Sequence, residues 1–146
     1  GLTPAYYHNE PNLKGPAITV SASGANAGYV NIYFEDIWAS DCSYISRDTE
    51  RYIFLRYLHM KDIQNEIFGM QRGSAQPHVY PKDLARLMTF SPSANLTDAF
   101  ERIVSKKFAL INSLSTQNIN IKQQRDMLLP KLISGKTEVI EILMET

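Results

Sequence analysis

The feature that most constrains this chain is a stripe of mainly apolar residues towards its end. Val104, Phe108, Ile111, Leu114, Asn118, Ile121, Arg125, Leu128 and Leu132 follow one another at steps of three or four. That is the near-heptad repeat of a coiled-coil seam. It predicts one helix from about Leu96 to Ile133, opened by Asn95 or Thr97. Such a helix is far longer than the average of about 11–12 residues. It cannot bury its stripe alone and needs a partner helix, from this chain or another. Asn118 reads either as a polar residue that fixes register or as a solvent-facing position at a frayed seam.

The helix ends on Ser134-Gly135-Lys136-Thr137, which matches the tail of a phosphate-binding loop. The match fails at its first glycine, because Pro130 stands there with no amide proton and a fixed φ. The segment before it has a helical pattern and not that of a buried strand. Gly135 reads instead as the helix C-cap, Pro130 as a kink or stop, and the tail beyond as a short extra segment or a frayed end.

With 146 residues the chain is long enough for one domain and an appended helix. Its net charge is zero but unevenly spread. Residues 1–46 set Lys14 against four carboxylates, for −3; residues 47–86 set seven basic against five acidic, for +2; the remainder has seven against six, for +1. This is not the balance of a strongly basic nucleic-acid binder working alone. Cys42 is the single cysteine, so no internal disulfide forms, which fits a reducing cytoplasm. No run approaches the ~18 apolar residues of a membrane span, and no signal peptide is visible. The chain opens at Gly1 in a loop-like stretch, which reads as a piece of a longer protein.

Residues 1–16 read as loop, 16–22 as a β-branched strand, 23–28 as a turn, and 29–34 as its alternating partner strand. Gly24, Asn26 and Gly28 permit positive φ in that turn. Residues 36–45 read as one or two further short strands. Ser46 or Asp48 can then cap a helix over 49–68, with Ile53, Phe54, Tyr57, Leu58 and Ile67 towards one face. A linker follows over 69–77, then a short strand, a helical turn opening near Asp83, and a strand ended by Pro92. The expected fold class is α+β: a small mixed β-sheet with packed helices over residues 1–92, then a long coiled-coil-like helix and tail over 93–146.

No catalytic constellation is legible. His8, His59 and His78 are far apart, and neither His-Glu-x-x-His nor Cys-x-x-Cys occurs, so no metal site is expected. No Gly-x-Ser-x-Gly elbow is present. Cys42 reads as a small core residue. Glu35 and Asp36 are adjacent on an extended segment and point to opposite faces. Polar recognition remains. The 23–28 loop offers serine, asparagine and bare backbone able to approach phosphates or base edges, or it is an ordinary hairpin connection. Residues 71–77 offer Arg72 for phosphate or guanine, Gln76 for adenine and Ser74 for either, or they form a linker that caps its neighbours. Arg47, Arg51 and Arg56 can follow a DNA backbone or form a solvated helix face.

The order of these pieces resembles a known family. "GPAITVSASGANAGYVNIYFEDIWASDCSYI", a helix, "GSAQPHVYPKDLARLMTFSPS", and a long helix ending "QQRDMLLPKLISGKTEV" are similar to the C-terminal half of a type I restriction–modification specificity subunit. The likeness runs from about residue 14 to 139. Gly73 to Pro77 match the segment that leaves the recognition domain. Leu128, Leu129, Pro130, Leu132 and Gly135 match the end of the spacer helix. Ser23, Gly24, Asn26 and Gly28 match a recurrent glycine loop.

The resemblance implies a non-catalytic protein that reads one half of a split target in double-stranded DNA. It implies docking of modification (methyltransferase) subunits, which carry S-adenosylmethionine, while this chain holds no cofactor. Restriction subunits can join that assembly. With the residues read above, it makes Lys14, Ser21, Ser23, Gly24, Asn26, Arg47, Arg72, Ser74 and Gln76 the candidate DNA-binding set. Val104, Phe108, Ile111, Leu114, Asn118, Ile121, Arg125 and Leu128 become the helix-pairing set. The sequence departs from the family in having no first recognition domain and no first spacer helix, and its own domain looks N-terminally truncated. Pairing is therefore expected with a second copy or with a missing N-terminal half. About 35 helical residues span about 50 Å, roughly one and a half turns of duplex at ~34–36 Å each. The rival reading is a coiled-coil protein-interaction module without DNA specificity; a small enzyme with an unfamiliar site is a third.

Overall fold

The computed structural model describes residues 8–135. The elements run β1 (Ala17–Ser21), β2 (Val30–Tyr33), β3 (Cys42–Ser46), α1 (Ile53–Asp62), α2 (Gln64–Gly69), α3 (Pro81–Leu84) and α4 (Ala94–Ile133). The α+β class is as expected. The sheet has the order β2-β1-β3, and both pairings are antiparallel, so it is not mixed.

β1 is the central strand and is buried along its whole length. Ile18 lies opposite Ile32 on one side and Ile45 on the other, and Val20 lies opposite Val30. Residues directly opposite in an antiparallel pair share a face, so these five build one apolar surface. α1 packs against β1 and β2. Ile18, Val30, Ile53 and Ile67 are fully covered, each contributing about 1.5–3 kcal/mol relative to an exposed side chain.

The helix expected over 49–68 starts later and breaks. Ser46 and Asp48 do not cap it; α1 begins at Ile53 with no side-chain cap from Tyr52. The Ser46 carbonyl instead accepts the N–H groups of Thr49 and Glu50 (3.1 and 2.9 Å), closing a turn. The first turn of α1 is capped from far along the chain. Glu101 on α4 accepts the Phe54 and Leu55 N–H groups, one on each carboxylate oxygen, both at 3.1 Å. At Ile63 (φ −91°, ψ 20°) the backbone leaves helical geometry and α2 follows.

The strands expected on either side of α3 are absent among the described elements. His78 makes only isolated bridges, to Ser23 and Arg72, and the stretch after α3 is irregular up to α4. α3 opens at Pro81, with Asp83 inside it and buried. Asn26 does not take positive φ, whereas Gly24 and Gly28 do.

α4 begins slightly ahead of the expected Asn95 or Thr97. The N–H and hydroxyl of Thr97 both donate to the Ser93 carbonyl at 3.0 Å. Pro130 does not end the helix, which runs on to Ile133. Gly135 then takes φ +68°, and its N–H donates to the Leu132 carbonyl, as a C-terminal cap does. Lys136 and Thr137, and the tail expectation with them, lie outside the described residues. The chain divides into two compact units, one ending at Ser105 and the other beginning at Lys106. Among the described residues no helix is long and apolar enough to cross a membrane.

Candidate nucleic-acid interface

The two polar loops singled out in the sequence are joined by backbone hydrogen bonds. Gly24 N–H donates to the Pro77 carbonyl (3.0 Å), and Val79 N–H donates to the Ala22 carbonyl (2.9 Å). Arg72 and His78 exchange N–H···O bonds of 2.9 and 2.8 Å, which pins the base of the second loop. The returning segment 78–79 is thus tied by isolated bridges just beyond the Ser21 end of β1, which lays one loop beside the other.

Three amide or carboxylate side chains hold the first loop from behind. Gln64 donates to the Gly28 carbonyl (2.8 Å) while its oxygen accepts Val30 N–H (3.0 Å). Gln71 donates to the Ala27 carbonyl (2.8 Å). Asp41 accepts the Ser23 hydroxyl, and its own carbonyl accepts Ala22 N–H at 2.9 Å. A side chain at Gly28 would be strained at φ +84° and would crowd Ile67 at 3.2 Å and Val79 at 3.3 Å. Gly73 is tighter still, at φ +93° with the Gln76 carbonyl oxygen 2.8 Å from where a Cβ would stand.

What faces solvent is polar. Asn26, Ser74 and Gln76 are exposed, and their side chains make no hydrogen bond among the described residues. Ser23 is committed to Asp41, and Ser21 is buried with its hydroxyl directed at the Ser23 carbonyl (3.5 Å). Gly24 contributes a turn at φ +80° with open space around it. Arg72 reaches the Asp83 carboxylate at 3.0 Å, and Arg86 lies 3.9 Å from the same oxygen. The other oxygen of Asp83 is buried and has no hydrogen-bond partner among the described residues. The His78 and Tyr80 rings stack with centroids 6.0 Å apart, and the Lys82 ammonium stands 5.5 Å from the centre of the Tyr80 ring.

Lys14 and Arg47 do not join this group. Arg47 follows Ser46, which pairs with Ala17 at the opposite end of β1, about 13 Å along the strand from Ser21 at ~3.3 Å per residue. Lys14 sits on that same side, beside the bridge between Leu13 and Ile37. Both are exposed. Arg51 pairs with Asp98 and Arg56 with Glu50, so neither of these arginines is free.

Sequence reasoning missed Asp83, Arg86, Lys82 and Tyr80. The Asp-x-x-Arg spacing of 83 and 86 was the available signal, since residues three apart meet on a helical turn. The three histidines occupy separate environments: His8 on Trp38, His59 on Phe90, His78 in the loop junction. Cys42 is half-buried on edge strand β3 rather than in the core, and burial pushes its thiol pKa up. A thiol held protonated is a weak nucleophile.

On the helix, Val104 is half-buried and Phe108 is buried. Beyond them Ile111, Leu114, Ile121 and Leu128 are exposed, as is Asn118. Arg125 is engaged with its neighbour Asp126 at 2.7 Å.

With this geometry in place, the chain superposes on a solved structure described as the crystal structure of a type I restriction-modification system S subunit from M. genitalium. The TM-score is 0.69 at 19% identity, over 92% of this chain and 37% of that one. The likeness is one of fold, and this chain spans little more than a third of the S subunit's length. No family model matches the sequence, and no curated protein matches it.

Proposed function

We propose that this chain is the DNA-recognition part of a type I restriction–modification specificity subunit, or a half-length form of one. The observation that carries this reading is the junction of two polar loops, 23–28 and 72–78, on a fold shared with an S subunit. In this reading residues 1–92 read one half of a split duplex target and residues 93–146 form the spacer. Asn26, Arg72, Ser74 and Gln76 contact base edges. Ser23 and Gly24 shape the loop, and Ser21 supports it from inside. Lys14 and Arg47, a sheet length away, serve backbone phosphates, since charges at that distance add affinity without sequence information.

The chain itself performs no chemistry in this reading. Modification subunits dock on it and methylate adenine with S-adenosylmethionine, which they bind. Restriction subunits join the same cytoplasmic assembly. The seam from Val104 to Leu128 pairs with a second copy or with the other half of a longer subunit. Exposed Ile111, Leu114 and Ile121 support that pairing, because a helix in water gains nothing from a bare apolar stripe. The same exposure favours a second reading, a coiled-coil interaction module with no DNA specificity.

Co-expression with a type I modification subunit, followed by mapping of methylated adenines, separates the two. Methylation at a split motif is the expected result. A stable complex that leaves DNA unmarked would leave only the interaction module.

A further inference from the structure

We propose that Asp83 is a positioning residue that fixes the Arg72 guanidinium for reading a guanine edge in duplex DNA; this rests on the DNA-recognition reading above. The pair joins a buried acid to an exposed base. The Arg72 side chain is 59% exposed, whereas that of Asp83 is 7% exposed. The arginine is held at both ends: its backbone exchanges two hydrogen bonds with His78, and its Nη2 donates to Asp83 Oδ1 at 3.0 Å. Asp83 is itself fixed, its N–H donating to the Tyr80 carbonyl (2.9 Å) and its carbonyl accepting Arg86 N–H (3.1 Å). Arg72 Nε, Nη1 and the second proton of Nη2 make no hydrogen bond among the described residues, so one two-donor edge of the guanidinium stays open.

A guanine presents N7 and O6 side by side in the major groove, and an arginine fork fits both at once. A free arginine loses rotamer freedom when it binds, so one already held in place loses less. Stability alone does not account for the pair. An ion pair with a largely exposed arginine contributes little, and Asp83 leaves its second oxygen buried without a partner among the described residues, which opposes folding. Arg86, 3.9 Å from the same carboxylate oxygen, and exposed Lys82 nearby keep the surface basic around the pair.

The sign of one substitution makes the proposal testable. Asp83→Asn removes a negative charge, so general attraction to DNA should hold or strengthen while sequence preference falls. The experiment selects sequences from a random duplex pool with the full chain co-expressed with a type I modification subunit, and with the same complex carrying Arg72→Ala, Asp83→Asn or Arg86→Ala. Binding to one fixed duplex of arbitrary sequence is measured alongside. We expect Arg72→Ala and Asp83→Asn to lose guanine at the same position of the selected motif, with discrimination there falling about tenfold to a hundredfold. Asp83→Asn should bind the arbitrary duplex at least as tightly as the parent, and Arg86→Ala should weaken all sequences evenly. A motif unchanged in Asp83→Asn overturns the positioning role while leaving DNA recognition standing. A parent chain that selects no sequence overturns both. If Asp83→Asn fails to fold, Asp83→Glu keeps the charge and moves the carboxylate by one methylene; an unblurred guanine there overturns the proposal.

Discussion

In the first unit Ile18, Val30, Ile53 and Ile67 are fully covered, whereas along α4 beyond Lys106 Ile111, Leu114 and Ile121 remain 49–61% exposed. Both sets are branched aliphatic side chains, and only their surroundings differ. In the sheet region each isoleucine has a facing strand or helix, so its burial stabilises the fold that places it. On the helix the apolar residues are periodic but meet solvent. Backbone propensity alone makes a helix marginal in water, so the stripe becomes stabilising only when a second surface covers it. Hydrophobic content therefore reports a core in one region and an uncovered stripe in the other.

The strongest way to break this contrast is to delete the same side chain in both regions. Ile53→Ala should destabilise the chain by about 2–5 kcal/mol, read as a lower urea midpoint. Ile121→Ala should change stability by no more than about 0.5 kcal/mol at dilute, unpaired concentration. An equal loss from both would mean that the helix is already covered.

The next effect tests the link from α4 back to the sheet region. Glu101→Ala leaves the Phe54 and Leu55 N–H groups without their acceptor, and we expect a loss of about 1–2 kcal/mol, the range for a lost helix cap. Unchanged denaturation would show that water replaces the carboxylate at no cost. The smallest effect on stability, and the sharpest on assembly, comes from the triple replacement of Ile111, Leu114 and Ile121 with Asp. It should leave the sheet region's unfolding nearly unchanged and abolish self-association in light scattering. A variant that keeps the parent's mass in solution would sink the pairing idea.

Local pattern made part of this molecule legible. The strand over 17–21, the glycines of the first loop and the span of α4 each carry their signal within a few residues, and each stands close to where it was expected. What stayed hidden depends on groups distant in sequence. The α1 cap comes from Glu101, 47 positions from Phe54. Nothing in Ser46 or Asp48 announces that their capping chemistry goes unused. The apolar residues before Pro92 looked like a strand, yet no neighbouring strand pairs with them. The two polar loops were found one at a time; their union rests on Gly24 and Pro77 meeting across the fold. The helical turn near Asp83 was legible, but its pairing with Arg72 was not, because burial cannot be seen in a single acidic letter.

The bonds that join the two loops run from backbone to backbone. Their frame is thus indifferent to which side chains stand at Asn26, Ser74 or Gln76, all of which point outward from it. Those positions behave like movable type locked in a fixed forme. In the proposed DNA-reading role, a new reader can be set in them by single substitutions while the page that holds them keeps its layout.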